Sequence, residues 1–510
     1  MKNNSIAKNA FFKLLLNLFN VIVPIIIGPY VARKLGSDLL GTINFAQSIN
    51  GYFYIFASFG IYNYGLREIS RKRENEKEVR QTFTSLFIFT IITNTLIGIA
   101  YIVFVSSKYR GQDVATAAMI LSGIFLFNIF YTEWVNEGLE NYDFISIKTI
   151  FVRIVYLILL FIMVREANDW RNYVFLLVFS IAANNLLSFI YIKRKIKFDF
   201  SNIELKKHIK PMFFVVILSN ANILYTQLDR IMLGEYVNKS SVSYYVMAQN
   251  VVTIVNSIAL TIITVSLPRL SSYLSNNKEN EYIYLVNKLA KYLFYFLFPM
   301  SIGIAVLGKE IMPFYGGSDY IAAGPVLMVF GVYMITMGYE YILSNQVLYL
   351  KKKEKIQVRL LFVGGIINLF LNYLLVKLGI FNAENSVITT MISNSIFFSM
   401  EYIYVRKVMK LKINIFGFDK VKYLLISLGF IPITMLVRNF TSNYVLIIIV
   451  GIIVNVIYYF SILLINNDKL TYEIIKNGKN RIEEMVKMIK YLDLSNYKAL
   501  SGLKLFDFYS

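Results

Sequence analysis

The stretch GPYVARKLGSDLLGTINFAQSINGYFYIFASFGIYNYGLREISR, residues 28–71, is echoed by QLDRIMLGEYVNKSSVSYYVMAQNVVTIVNSIALTIITVSLPRLSS, residues 227–272. In the first stretch Leu35 and Gly36 close one apolar run, Ala46 and Gln47 lie inside the next, and Arg67 ends it. In the second, Leu233 and Gly234, then Ala248 and Gln249, then Arg269 follow in the same order. Gln47 to Arg67 and Gln249 to Arg269 both span twenty residues, while the Gly-to-Gln distance grows from eleven to fifteen. Self-similarity in this order points to a chain built from two related halves.

Apolar runs of this kind fill the chain. Of its 510 residues 57% are hydrophobic, only 16% are charged, and the mean hydropathy is +0.56. A soluble domain carries about 45–50% apolar residues. The excess sits in runs of about twenty residues, the length that crosses hydrocarbon. Fourteen spans are expected, near 10–32, 40–66, 81–105, 114–139, 145–164, 173–192, 211–234, 243–267, 291–308, 321–350, 356–376, 386–405, 421–437 and 443–465. Pro24, Pro29, Pro299 and Pro325 fall inside or at the ends of spans, where neighbouring helices or a cavity can satisfy the freed carbonyls. The expected fold is an all-α polytopic membrane protein. Residues 1–197 form an N-lobe of spans 1–6 and 198–412 a C-lobe of spans 7–12. Two added spans occupy 413–466, and 467–510 form a tail. A six-span repeat keeps both copies in one orientation, and substrate then binds between them near the midplane.

The charges set the sidedness. Of 52 Lys and Arg, forty fall in alternate segments beginning with the N-terminal one, ten fall in the others, and Arg153 and Arg230 lie within spans. That asymmetry places the basic segments, and with an even span count both termini, in the cytoplasm. It also accounts for the net charge of +21 as loops facing anionic headgroups rather than nucleic acid. In the tail, Ile482, Met485, Val486 and Ile489, flanked by Arg481, Lys487 and Lys490, have the spacing of an amphipathic surface helix. The same spacing suits a helix packed on the loops.

Several chemistries are excluded. There is no cysteine, and the single histidine, His208, lies in a basic loop, so thiol chemistry and a histidine relay inside the membrane are out. No cleavable signal is evident, and the first helix is expected to stay as the anchor. Neither H-E-x-x-H nor a Walker A pattern occurs, and the outer loops are short. The expectation is therefore a non-enzyme without cofactor.

Residues 28–71 resemble the entry region of polysaccharide flippases of the O-antigen and capsule type. Residues 227–272 resemble their seventh and eighth spans. Residues 299–355, which run from PMSIGIAVLGKEIMPFYGGSDYIAAGPVLM to NQVLYLKKKEK, resemble their ninth and tenth. The similarity extends to about residue 405, and that superfamily also holds the multidrug and toxin extruders and the lipid II flippases. The resemblance implies two six-helix lobes around a water-filled cavity that opens alternately to each side. It implies a bacterial plasma or inner membrane location and a substrate made of undecaprenyl-pyrophosphate-linked oligosaccharide, flipped outward for capsule, exopolysaccharide or other surface glycan. Membrane lipids, a polysaccharide polymerase and glycosyltransferases are the implied partners.

Ionisable groups inside a span are costly and are functional candidates by default. Arg153 on span 5 offers a planar fork suited to phosphate. Glu133 and Glu137, one turn apart on span 4, can instead lock it between two helices. Asp229 and Arg230, near the outer end of span 7, point about 100° apart, so one is expected to face the cavity and the other a neighbouring helix. A snorkelling pair at headgroup level is the alternative. Glu340 lies about 15 Å from the end of span 10 and is the deepest acid. Tyr339, Tyr341, Ser344 and Asn345 surround it. It can gain and lose a proton, or serve as a hydrogen-bond partner of another helix. Any coupling to H+ or Na+ falls to Glu340, Asp229, Glu133 or Glu137. Glu401 is expected to snorkel at the cytoplasmic end. Arg67 and Arg269 can ring the inner mouth or act as plain positive-inside anchors. Asn44, Gln47, Asn50, Asn184, Gln249, Asn250, Asn368 and Asn372 suit sugar hydroxyls, and equally suit interhelical hydrogen bonds.

The reading is a flippase of lipid-linked oligosaccharide. A cation-coupled extruder of drugs and toxins is the rival within transport, and a membrane glycan polymerase the rival enzyme. A cavity lined by bases supports the first, and one lined by acids the second.

Overall fold

A computed structural model describes residues 6–476, and the expected tail helix lies outside them. The described chain is helical, without a strand. In order the helices are α1 (Ile6–Ser58), α2 (Ile61–Lys72), α3 (Glu76–Lys108), α4 (Asp113–Leu121), α5 (Gly123–Asn128), α6 (Glu133–Gly138), α7 (Tyr142–Met163) and α8 (Trp170–Lys195). The second half holds α9 (Leu205–Tyr236), α10 (Lys239–Ser275), α11 (Glu279–Gly316), α12 (Gly324–Tyr341), α13 (Glu354–Lys377) and α14 (Ala383–Ile403). The appended part is α15 (Phe418–Ser427), α16 (Phe430–Phe440) and α17 (Tyr444–Ile465). Among the described residues ten helical segments are long and apolar enough to cross a membrane. Helices α1, α9 and α14, which carry the expected spans 10–32, 40–66, 211–234 and 386–405, are not among the ten.

The helices start and break where the sequence allows. Asn238, Asn382 and Asn443 cap α10, α14 and α17, each accepting a backbone N–H of the first turn with its side-chain oxygen. Gly36 has φ +73, a value open to glycine, and turns α1 into two helices. The expected span 40–66 is interrupted at Phe59 and Gly60, between α1 and α2. The expected span 114–139 is broken twice, into α4, α5 and α6. Helices α12 and α14 each continue into a π-helical stretch, Ile342–Tyr349 and Tyr404–Val408.

Lipid is as apolar as leucine, so packing and interhelical hydrogen bonds hold such a bundle together. The densest part of the core lies where α10, α11 and α12 meet: Tyr282, Phe294, Phe298, Tyr320 and Phe330 are fully buried there. Ile158, Ile162, Ile366, Phe370, Ile453 and Ile457 are exposed on α7, α13 and α17, as side chains facing acyl chains are. The appended helices are fastened to α11 at two levels. Arg438 forks onto Glu310 at 2.8 and 2.9 Å and donates to the Val306 carbonyl at 2.6 Å. Tyr459 donates to the Tyr295 carbonyl at 2.8 Å.

Candidate functional site

The two halves meet closely on the side assigned as extracytoplasmic by the charges. A Cβ on Gly41 of α1 would lie 1.9 Å from the Lys239 carbonyl, and one on Gly234 of α9 would lie 2.1 Å from the Phe45 ring. Only glycine permits either approach. Lys108 of α3 pairs with Glu235 of α9 at 2.8 Å, and the Tyr109 hydroxyl donates to the same carboxylate oxygen. Ser240 donates to Asp38 at 3.4 Å, Arg33 donates to the Phe314 carbonyl, and the Lys239 ammonium sits 3.5 Å from the centre of the Phe45 ring. On this side the halves are shut.

Below this seal, α9 carries Asp229 and Arg230. The Asp229 side chain is wholly buried between α10, α13 and α14. It accepts from Tyr245 at 2.9 Å, Asn372 at 2.6 Å and Thr390 at 2.5 Å. Asn368 donates to Thr390 at 2.9 Å, its Oδ1 accepts from Asn372 at 3.3 Å, and Thr389 donates to the Asn372 side-chain oxygen. Arg230 turns the other way. Its Nη2 donates to Gln249 of α10 at 2.5 Å and its Nη1 to Gln227 at 3.5 Å, while Nε is buried without a partner. A Cβ on Gly51 of α1 would stand 3.5 Å from Gln227, so the guanidinium lies at the junction of the halves. It pairs with no carboxylate among the described residues, and neither does Arg153.

The acids are placed otherwise than their spacing predicts. Glu133 and Glu137 do not lock Arg153. Lys148, at the start of the expected span 145–164, is buried on α7 and donates to Glu133 at 2.9 and 3.1 Å. Ser188 of α8 donates to Glu133 at 2.6 Å. Glu137 accepts from Tyr62 at 2.9 and 3.0 Å. Glu340 accepts from Asn394 at 2.6 Å. Glu401 does not snorkel: it is wholly buried and accepts from Ser344 at 2.7 Å. Arg67 lies 3.9 Å from Glu68 and Arg269 donates to Tyr273, each held by a neighbour on its own helix. Asn50 donates to the Leu121 carbonyl at 3.4 Å and Asn184 to the Ser180 carbonyl at 2.9 Å. These amides, with Asn368 and Asn372, serve the helices rather than an open cavity. His208 ties α9 to α2 through the Tyr64 hydroxyl at 2.7 Å, and burial, with Lys72 nearby, holds its imidazole below the usual value.

Residues 6–274 match the model of a family described as polysaccharide biosynthesis protein. The chain belongs to that family. Among its relatives is a putative O-antigen transporter of Shigella dysenteriae, 24% identical over 382 residues that cover 72% of this chain and 92% of the relative. A lipid II flippase in an inward closed conformation superposes with a TM-score of 0.68 at 18% identity, over 89% of this chain and 99% of that one. An inward-facing multidrug resistance transporter of the MATE family gives 0.59 at 12% identity, over 78% of this chain and 95% of that one. This member of the polysaccharide biosynthesis family thus shares its fold with multi-pass membrane flippases and transporters, and its relatives include named O-antigen transporters.

The sequence singles out Asp229 and Arg230 and, separately, Gln249, Asn368 and Asn372; the structure brings them together. Tyr245, Asn372 and Thr390 lie 16, 143 and 161 residues away from Asp229. The stripe Ser386, Thr389, Thr390, Ser393 and Asn394 on α14 was the available signal: five polar side chains on the buried face of a membrane helix.

Proposed function

We propose that this chain moves a polyprenyl-pyrophosphate-linked oligosaccharide from the cytoplasmic to the outer leaflet by alternating access. The carrying observation is Arg230. A guanidinium at the junction of the halves, bound only to neutral amides, lacks the anion that its depth in the membrane calls for. A pyrophosphate supplies one in bidentate geometry. Arg153, also without a carboxylate, adds to the same preference. The acids Glu133, Glu137, Asp229, Glu340 and Glu401 are each engaged by hydrogen bonds within one half. That distribution disfavours a drug cation. The seal through Lys108, Glu235, Asp38 and Ser240 supports alternation: a shut outer face is one end of such a cycle.

The Asp229 cluster supports coupling to a monovalent cation. One carboxylate that receives two hydroxyls and one amide N–H carries one negative charge to balance, and among the described residues no group of three or more His, Cys, Asp or Glu could hold a metal ion. Asp229 and the hydroxyl oxygens of Tyr245 and Thr390 would hold the cation, and it would supply charge compensation on α9.

The test is a conditional-depletion strain in which lipid-linked sugars are extracted and assigned to a leaflet. Accumulation of repeat units on the inner leaflet with loss of surface glycan is expected. Normal surface glycan with new sensitivity to cationic dyes overturns the proposal in favour of drug extrusion.

A further inference from the structure

The buried face of α14 carries a second polar run beyond the Asp229 cluster. Asn394 follows Thr390 by four residues and Glu401 follows Asn394 by seven, so all three share one side of the helix. Two rungs connect this side to α12 and its π-helical continuation. Asn394 Nδ2 donates to Glu340 Oε2 at 2.6 Å, and Ser344 Oγ donates to Glu401 Oε1 at 2.7 Å. Glu340 and Ser344 are four residues apart, about 6 Å of helical rise. Glu401 and Asn394 are 0% and 5% exposed, yet Glu401 Oε2 and Asn394 Oδ1 have no hydrogen-bond partner. Asn394 is thus held on Glu340 by its amide nitrogen, with its Oδ1 idle. The π-helical turns lie beside these residues on both helices, a backbone form that recurs at functional sites.

No positive charge offsets the two carboxyls: among the described residues neither enters an ion pair. Lys351 is taken by Glu279, and Arg269 by the Tyr273 hydroxyl. Arg406 reaches only the Leu411 carbonyl, at 3.5 Å. Lys352, Lys353, Lys355, Arg359 and Lys407 are exposed, and Glu354 opens α13 at the surface. Elsewhere on the packed elements Arg230 is bound to Gln249, Lys239 lies over the Phe45 ring, Lys377 ends α13 over Tyr373 and Glu384 opens α14; the phenols near the two carboxyls are engaged as well. Tyr341 accepts from Asn256, Tyr282 donates to the Gln346 carbonyl, Tyr339 stacks on Phe398 and Phe416, and Tyr402 meets Phe416 edge-on. Asp229 of α9 meets α14 further from Glu401, at Thr390.

We propose that Glu340 and Glu401 form a proton-exchange site in the C-terminal half, separate from the Asp229 cluster, that carries one proton between two carboxyls. Ionised carboxyls without counter-charge are expensive in a water-poor interior. A proton removes one of the two charges and supplies the donor that the idle acceptor oxygens lack. The step is a simple exchange: a carboxylate takes a proton from water at the open face, becomes a carboxylic acid, and returns the proton to water. No other bond changes. The site itself is independent of the transport reading; only its coupling to flipping rests on that reading.

The test is pH-difference infrared spectroscopy on the purified full chain, followed by flipping in proteoliposomes under an imposed pH gradient. A carboxylic-acid carbonyl band that titrates in the wild type and is lost in Glu340→Gln and in Glu401→Gln is expected. Glu401→Asp, which keeps the carboxyl, should move the band rather than remove it. A titrating spectrum unchanged in the double Gln variant overturns the proposal, as does a wild type with no such band. In vesicles, the gradient should accelerate flipping by wild type and not by Glu340→Gln; equal acceleration in both also overturns it. If wild type fails to flip lipid-linked sugar while the band behaves as expected, the transport reading falls and the proton site stands.

Discussion

Asp229 and Arg230 are consecutive residues of α9 and serve opposite sides of it. The aspartate is wholly buried against Tyr245, Asn372 and Thr390, and the arginine reaches Gln249 and Gln227 at the junction with α1. Successive residues point about 100° apart on a helix, so one element can present a carboxylate inward and a guanidinium to the space between the halves. Charge compensation at the first therefore has a rigid mechanical link to the second.

Arg230→Ala should lower the flipping rate roughly 10- to 100-fold, the worth of about 1.5–3 kcal/mol for a hydrogen bond to a charged group. Protein abundance should stay normal, because Gln249 and Gln227 are neutral and tolerate losing a donor. Arg230→Lys keeps the charge and loses the fork, so an intermediate rate is expected. Leaflet assignment of lipid-linked sugar in cells measures this, with immunoblots for abundance. Equal loss in both variants at reduced abundance would point to a packing role.

The outer seal can be trapped. The chain has no cysteine, so Asp38→Cys with Ser240→Cys introduces the only pair. Their side chains lie 3.4 Å apart between halves. Oxidation should arrest flipping and reduction should restore it. Gly41→Val acts oppositely: its side chain would meet the Lys239 carbonyl and hold the seal open. A cysteine placed at position 240 should then label faster from outside than in the Gly41 parent. Unchanged labelling would mean that the seal closes without this contact.

Lys148→Met should destabilise the N-terminal half by about 3–5 kcal/mol, the cost of leaving a buried acid without its partner. The lysine side chain is 4% exposed and Glu133 17%. The double variant Lys148→Met, Glu133→Gln should recover most of the loss, because no charge is then stranded. Thermal melting in detergent reads both. A double variant no more stable than the single one would remove the ion pair as the cause.

Asp468 follows α17, outside the spans. Burial alone would push its carboxyl up, but hydrogen bonds from Lys422 and the Thr471 backbone N–H outweigh it and hold the group below its usual value. A carboxyl lowered in the folded state stabilises above its unfolded pKa, and that contribution is lost as pH falls through the folded value. Melting temperature should therefore drop as pH falls from above about 3.9, the ordinary aspartate value. Asp468→Asn should flatten this part of the profile and melt lower at neutral pH. An identical acid limb in the variant would assign the loss to other carboxyls.

Much was legible in order and spacing. The repeat through Gly36 and Gly234 marks places where the structure needs glycine: a positive φ at the first, the Phe45 ring against the second. The candidate pair Asp229 and Arg230 emerged from the cost of charge in a span. What spacing missed shares one cause. Lys148 stands at the edge of its expected span, yet α7 begins at Tyr142, three residues earlier than 145, and buries it against Glu133. Glu401 looked terminal because its span ends nearby, yet α12 continues beside it as a π-helix and covers it with Ser344.

By itself the sequence determined what depends on solvent and local chemistry. Helices follow from apolar runs that must satisfy their own backbone inside lipid, the turns at Gly36 and Gly60 follow from glycine, and sidedness is an expectation from basic loops. Which charges stand together was decided only by tertiary structure. Partners such as Asp229 and Thr390, or Lys108 and Glu235, lie more than a hundred residues apart and meet through helix packing. Helical periodicity tells which side of a helix a residue occupies, but not which other helix covers that side.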